Sequence, residues 1–172
     1  MGPPGHFAIA LAAKPTAQKA PLWVLLIASE VLDLLNFGFL ATSIENSGVS
    51  RTDISQGVAV LSPSFIPWSH GLFMSVVWSL VAAAIAFFIY QDRRASSVIG
   101  LVVLSHWALD FIVHPPELPL LFGGSPTVGL GLWASGPGLI ISGILVLVLL
   151  TGGIAIYLVA RMRKSVQARE DK

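Results

Sequence analysis

Three side chains in the run Ser105-His106-Trp107-Ala108-Leu109-Asp110-Phe111-Ile112-Val113-His114-Pro115-Pro116 could do chemistry, and they stand at i, i+4 and i+8 of an otherwise apolar stretch. On a helix of 3.6 residues per turn they fall within one stripe, each about 6 Å further along the axis. His106 and Asp110 could therefore grip one ion together, with His114 reaching the same cavity from the next turn. An ionisable group at lipid depth is expensive, so it faces a protein interior and does a job there. The remaining histidines, His6 and His70, also lie in or beside apolar segments, as do the carboxylates Glu30 and Asp33.

No Lys or Arg interrupts the apolar spans, so the buried acids have no basic partner in them. They must be protonated, hydrogen-bonded to imidazole, or bound to a cation. Imidazoles and carboxylates drawn from different helices suit Zn²⁺ or a similar borderline divalent ion. The chain has no cysteine. Thiolate ligands, thiol nucleophiles and disulfides are thereby removed together, and a metal site must use His, Asp, Glu or the chain terminus. The ligand candidates are His6, Asp33, His70, His106, Asp110 and His114, enough for one or two ions. Asp33 or Glu30 would act as general base. The competing reading is that these groups only hydrogen-bond between helices, at about 1 kcal/mol each. Convergence of all seven on one place would count against it.

Composition specifies the surroundings. Of 172 residues, 55% are hydrophobic and only 11% charged, and the mean hydropathy is +0.80. A soluble domain carries roughly 25% charged residues, so the expected class is an all-α integral membrane bundle. A net charge of +1, with no basic stripe interleaved with aromatics, argues against a nucleic-acid partner. The start, Met1-Gly2-Pro3-Pro4-Gly5-His6, has no basic n-region. It does not read as a signal peptide, and His6 stands where a myristoylation site needs Ser or Thr.

Four transmembrane helices and a short N-terminal half-helix are expected. The half-helix covers residues 5–13, too few to cross a bilayer. The spans cover residues 21–43, with Pro21 at the start, 69–90, 97–114 and 137–160; residues 161–172 form a polar tail. Glu30, Asp33 and Asn36 make a polar stripe on the first span, and Ala82-Ala83-Ala84 suits close packing on the second. Pro115-Pro116 stops the third. The last span holds no ionisable residue and is expected to be structural. Asn36, Ser69 and Ser105 read as local hydrogen-bonders; Trp23, Trp68 and Trp133 as interfacial anchors; Trp107 as a cavity wall. No repeat or long linker divides the chain, so one domain is expected.

Lys14, Lys19, Arg93, Arg94 and the basic residues of the tail fall on one side of this alternation, and Arg51 alone on the other. By the positive-inside rule the tail is cytoplasmic, and the loops around Arg51 and Gly123 face outward. Counting about 1.5 Å per residue from the cytoplasmic ends puts Glu30 and Asp33 roughly 14–18 Å deep, and His106, Asp110 and His114 roughly 14, 20 and 26 Å deep. The site should open toward the outer face of an inner membrane.

The order of these motifs is itself familiar. Gly5-His6 opening a short helix, then Ala28-Ser29-Glu30-Val31-Leu32-Asp33, a lone His70 and Ser105-His106-x-x-x-Asp110 resembles the membrane-bound metal-dependent hydrolases of the LexA-regulated inner-membrane type. More distantly it is similar to the soluble zinc-dependent phospholipase C and P1 nuclease group. The resemblance covers roughly residues 5 to 122. It implies metal ligation by His6, Asp33, His70, His106 and Asp110, with Asp110 as a bridging ligand. It departs from the membrane family in lacking Pro-Asp-x-Asp and in having His70 where paired histidines are usual. It departs from the soluble enzymes in having no N-terminal Trp and no His or His-x-x-x-Glu ligands after His114. One or two ions are therefore expected rather than three.

The resulting expectation is a membrane-embedded hydrolase. A Zn²⁺-type ion would lower the pKa of water toward about 7 and stabilise developing negative charge. A lipid or lipid-linked phosphoester, entering between helices from the bilayer, would be the substrate. A small transporter or proton/metal relay is the alternative, weighed down by the absence of an inverted repeat or broken helix pair, although a homo-oligomer could complete a pathway. The third reading is a non-catalytic membrane protein.

Overall fold

A computed structural model of the chain describes residues 1–46, 65–122 and 124–171. The expectations placed on Arg51 and Gly123 lie outside these residues. Among the described residues the architecture is a helical bundle with one two-stranded antiparallel ribbon.

The first helix, α1 (Pro3–Ala13), has proline in its first turn, where a missing N–H costs nothing and φ is already helical. It stops at Lys14, whose Nζ donates to the carbonyls of Ala17, Gln18 and Ala20 at 3.3, 3.0 and 2.8 Å. That clamp turns the chain into α2 (Leu22–Ser29), which follows Pro21. The continuous span expected over residues 21–43 is interrupted. Glu30 leaves helical geometry, and α3 (Val31–Ala41) continues at 51° to α2. A broken helix pair is thus present where none was expected.

Next comes α4 (Leu72–Tyr90), ended by Gln91 in the left-handed region at φ 49°, and α5 (Arg93–Val113) begins two residues later. Asp92 makes the tight turn possible, because its Oδ1 accepts the Ala95 amide at 2.7 Å and satisfies one of the free donors of the first turn. The helix therefore starts at Arg93, earlier than the expected 97. Between α4 and α5 the backbones touch at Gly100, where a Cβ would lie 2.8 Å from the Ser79 carbonyl and 3.0 Å from Ala83 Cβ. The Ser79 hydroxyl donates to the Gly100 carbonyl at 2.7 Å. Close packing falls beside the alanine run, as expected.

After Val113 the double proline stops the helix. Strand β1 (Leu118–Pro119) pairs with β2 (Thr127–Val128), and a 3-10 turn (Leu132–Ala134) leads into α6 (Gly136–Glu170). The expected polar tail is the continuation of this helix, whose 35 residues span about 52 Å. That exceeds a hydrocarbon core of about 30 Å, so the apolar part can cross while the basic turns project beyond it. Ser135 caps its start, accepting from the Gly138 amide at 3.1 Å.

Helices α4, α5 and α6 are long and apolar enough to cross a membrane, and the bent α2–α3 pair makes a fourth if counted as one span. Large apolar side chains point outward along them, including Phe88, Leu101, Ile140 and Leu147. Such a surface suits lipid rather than water. The buried core lies inside the bundle: Leu25, Leu32, Val102 and Val103 are sealed, with Ala10, Ala28 and Ile99. Helix α1 docks against α6 at Gly153, where a Cβ would sit 2.3 Å from the Ala8 carbonyl. The half-helix is thereby held inside the bundle with His6 buried.

Candidate metal centre

Five of the residues singled out by type and spacing meet at one place. Helix α1 supplies His6, α3 supplies Asp33, the segment entering α4 supplies His70, and α5 supplies His106 and Asp110 one turn apart. His106 Nε2 lies 3.2 Å from Asp110 Oδ2 and 3.5 Å from Asp33 Oδ1. His70 Nε2 lies 3.3 Å from Asp33 Oδ1 and 3.6 Å from Asp110 Oδ2. His6 Nε2 stands 3.5 Å from Asp110 Oδ1. Its ring is stacked parallel on His106, with centroids 3.8 Å apart. The Met1 amine also contacts Asp110 Oδ1. His6, His70, His106 and Asp110 are all buried.

Two sets have spacings that fit an ion. Ligand atoms of His6, Asp33 and His106 lie within 4.8 Å of one another, and so do those of His70, His106 and Asp110. Asp110 presents its two oxygens to different imidazoles, Oδ1 to His6 and Oδ2 to His70 and His106.

Hydrogen bonds on the far sides of the rings decide what these nitrogens are. His106 Nδ1 lies 2.7 Å from the Ser29 carbonyl. A carbonyl only accepts, so Nδ1 carries hydrogen and donates. Ser29 is the last residue of α2, where helix carbonyls lack intrahelical partners. The break after it thus frees the group that orients His106. In the neutral ring Nε2 is then a bare lone pair aimed at two carboxylates. It is buried without a hydrogen-bond partner, as are both nitrogens of His6. Buried polar atoms are nearly always satisfied, and exceptions demand a reason. Imidazole nitrogens and carboxylate oxygens that converge in this way could hold a divalent cation. The donor set fits a borderline ion.

Glu30 and His114 take other places. Glu30 sits at the α2–α3 break, half-buried, with the Ser29 hydroxyl 3.5 Å from its Oε1, and belongs to neither ion-sized set. His114 follows the last residue of α5 and has extended geometry, ψ 144°. It lines the same cavity as the cluster but belongs to neither ion-sized set. Its Nδ1 donates to Glu117 Oε1 at 2.8 Å, and its ring lies against Trp133. Trp107 stacks on Phe111 and packs on the apolar core and is not among the residues lining the cavity beside the cluster.

That cavity, about 330 Å³, is walled by His6, Asp33, His70 and Asp110 within and by Asn36, His114, Glu117 and Trp133 further out. It lies toward the end of α5 remote from Arg93 and Arg94.

Glu45 was not singled out from the sequence. It is buried, and its carboxylate takes four hydrogen bonds close behind His70. An acid in a Gly/Ser/Pro-bearing loop reads as solvated, and nothing in its spacing marks it. Asn36 and Ser69, read as local hydrogen-bonders, bond instead across the sequence to Glu45 and to each other; Ser105 does bond locally, to the Val102 carbonyl at 2.7 Å. No protein-family model, curated protein or solved structure matches this chain.

Proposed function

We propose that the chain is a membrane-embedded metal-dependent hydrolase acting on a phosphoester of a lipid or lipid-linked substrate. The observation that carries this reading is the convergence of buried imidazole nitrogens of His6, His70 and His106 on the carboxylates of Asp33 and Asp110, beside a cavity of about 330 Å³. His70, His106 and Asp110 would hold one ion and Asp33 and His6 would complete the shell, with Asp110 Oδ1 met by the Met1 amine. Bound there, zinc or a similar ion supplies Lewis acidity and an activated water at neutral pH. Glu30, half-buried at the break, would serve as an acid or base for protons leaving the site. The likeness to the membrane-bound hydrolases named above supports the same reading. So does the cavity's position at the end of the bundle away from the basic residues, which under the positive-inside rule is the outer side of an inner membrane.

Purified protein should hydrolyse one or more of a panel of phospholipids and lipid phosphates. The activity should vanish with chelator, return with zinc, and be absent in Asp110→Ala. No turnover of any lipid by zinc-loaded protein would count against hydrolysis.

The bent α2–α3 pair favours a second reading, metal or proton transport, because broken helices at a polar site are common in transporters. Zinc flux into proteoliposomes without lipid turnover would select it.

A further inference from the structure

Behind His70, on the side away from the carboxylates, lies a chain of hydrogen bonds that the hydrolase reading does not use. Glu45 Oε1 accepts the backbone amides of Trp68 and Ser69, each at 2.8 Å. Its Oε2 accepts the Ser69 hydroxyl at 2.6 Å and the Asn36 amide at 2.9 Å. Ser69 Oγ in turn lies 2.9 Å from His70 Nδ1. Glu45 and Ser69 are both buried, at 3% and 0% exposure. The fold brings them together by a local device. Ser43 enters the left-handed region at φ 59°, and the amides of Ile44 and Glu45 both return to the Phe39 carbonyl. Asn46 then bridges to Phe65, exchanging backbone hydrogen bonds of 3.1 Å in both directions. This sets Glu45 beside the segment that leads to His70.

We propose that Glu45, through Ser69, is a positioning residue that fixes the proton of His70 on Nδ1 and so keeps Nε2 open as a metal ligand. Four donors already meet the two Glu45 oxygens, which is what a carboxylate accepts and leaves no room for an acid proton. Ser69 has a single hydroxyl hydrogen, and at 2.6 Å from Oε2 it is committed to Glu45. Toward His70, Ser69 can then only accept. Nδ1 must be the donor, and in a neutral imidazole the other nitrogen is unprotonated. That nitrogen is the one facing Asp33 and Asp110. Carboxylate-backed histidine is a common way of fixing ligand tautomer and orientation; here the carboxylate acts through an interposed hydroxyl. The consequence for metal affinity rests on the metal-centre reading, whereas the tautomer does not.

Glu45→Gln separates charge from shape. If the amide NH₂ stood at the Oε1 position it would face two fixed backbone donors, whereas at Oε2 it meets the Asn36 amide, which can flip to present its oxygen, so it takes the Oε2 position and donates to Ser69. The Ser69 hydrogen is released toward His70 Nδ1, and the ring proton moves to Nε2, where the ion would sit.

The test uses the full chain in nanodiscs with ¹⁵N-labelled histidine. Ring ¹⁵N shifts are read at pH 8 without metal, and zinc affinity is measured by competition with a chromophoric chelator. In the wild type, His70 should carry its proton on Nδ1. In Glu45→Gln it should carry it on Nε2, with helix content unchanged and zinc affinity about 10–100-fold weaker. If Glu45→Gln does not fold, Ser69→Ala, which removes the acceptor for Nδ1, is read in the same two ways and should give the same result. A wild-type proton on Nε2, or a variant that keeps the Nδ1 proton and binds zinc within about twofold of wild type, overturns the proposal. A wild type with the Nδ1 proton but no zinc binding would overturn the metal centre alone and leave the tautomer control standing.

Discussion

Asp110 is buried among histidines, with no Lys or Arg paired to it among the described residues. A carboxylate in that position needs positive charge, since an isolated buried ion costs several kcal/mol. The Met1 amine supplies one such charge at Oδ1, while Oδ2, 3.2 Å from His106 Nε2 and 3.6 Å from His70 Nε2, has only imidazoles beside it. A shared cation meets the same need for Asp33 and Asp110 together. Accordingly His106→Ala should lower zinc below about a tenth of an ion per chain, whereas His114→Ala should retain the wild-type content; both are read by elemental analysis of purified protein. The His106–Asp110 pair was legible from the sequence because helix periodicity alone puts i and i+4 on one stripe. The same rule carries His114 to the wall of the same cavity, though not into either ion-sized set. Glu45 was illegible for a different reason: its partners are assembled by a bridge between Asn46 and Phe65, and no local pattern encodes that pairing.

At the scale of elements, the centre depends on α5, which supplies two residues, and on three other segments that each supply one. Helix α1 delivers His6 only while Ala8 lies against Gly153 of α6. Gly153→Val should push α1 out at a cost of about 1–3 kcal/mol. Zinc binding should weaken although no ligand has changed, while Gly152→Ala, which meets nothing within 4 Å, should leave affinity unaltered in the same titration. The α4–α5 turn makes a pH-dependent prediction. The Ala95 amide, foremost, and then Lys19 hold the Asp92 carboxyl below its ordinary value of 3.8. A depressed carboxylate contributes stability that is full above its ordinary pKa and lost as pH falls through the lowered one. The melting temperatures of wild type and Asp92→Asn should therefore differ at pH 7 and converge on acidification through that range. Helix positions were readable from apolar runs and prolines. The bend at Glu30 was not, because neither Pro nor Gly marks it. Nor was the helical tail: the switch from apolar to charged residues looked like an end, although the helix runs on through it.

For the whole molecule, the bundle combines an apolar exterior with a polar interior that opens at one end. A purely structural polar set would be expected to pair its members and close. Here buried imidazole nitrogens without hydrogen-bond partners face carboxylates beside a cavity. The proposed placement of that opening on the outer side would follow from the basic turns at the other end, and protease or cysteine-labelling accessibility in oriented vesicles should then find the C-terminus on the cytoplasmic side. The central claim is that these groups share a divalent ion. It is tested most directly by anomalous scattering at the zinc absorption edge from crystals of the zinc-loaded protein. A peak should appear about 2.0–2.2 Å from the Nε2 atoms of His70 and His106 and from carboxylate oxygen of Asp33 or Asp110. Absence of any peak there, with the imidazoles hydrogen-bonded straight to the carboxylates, would contradict it.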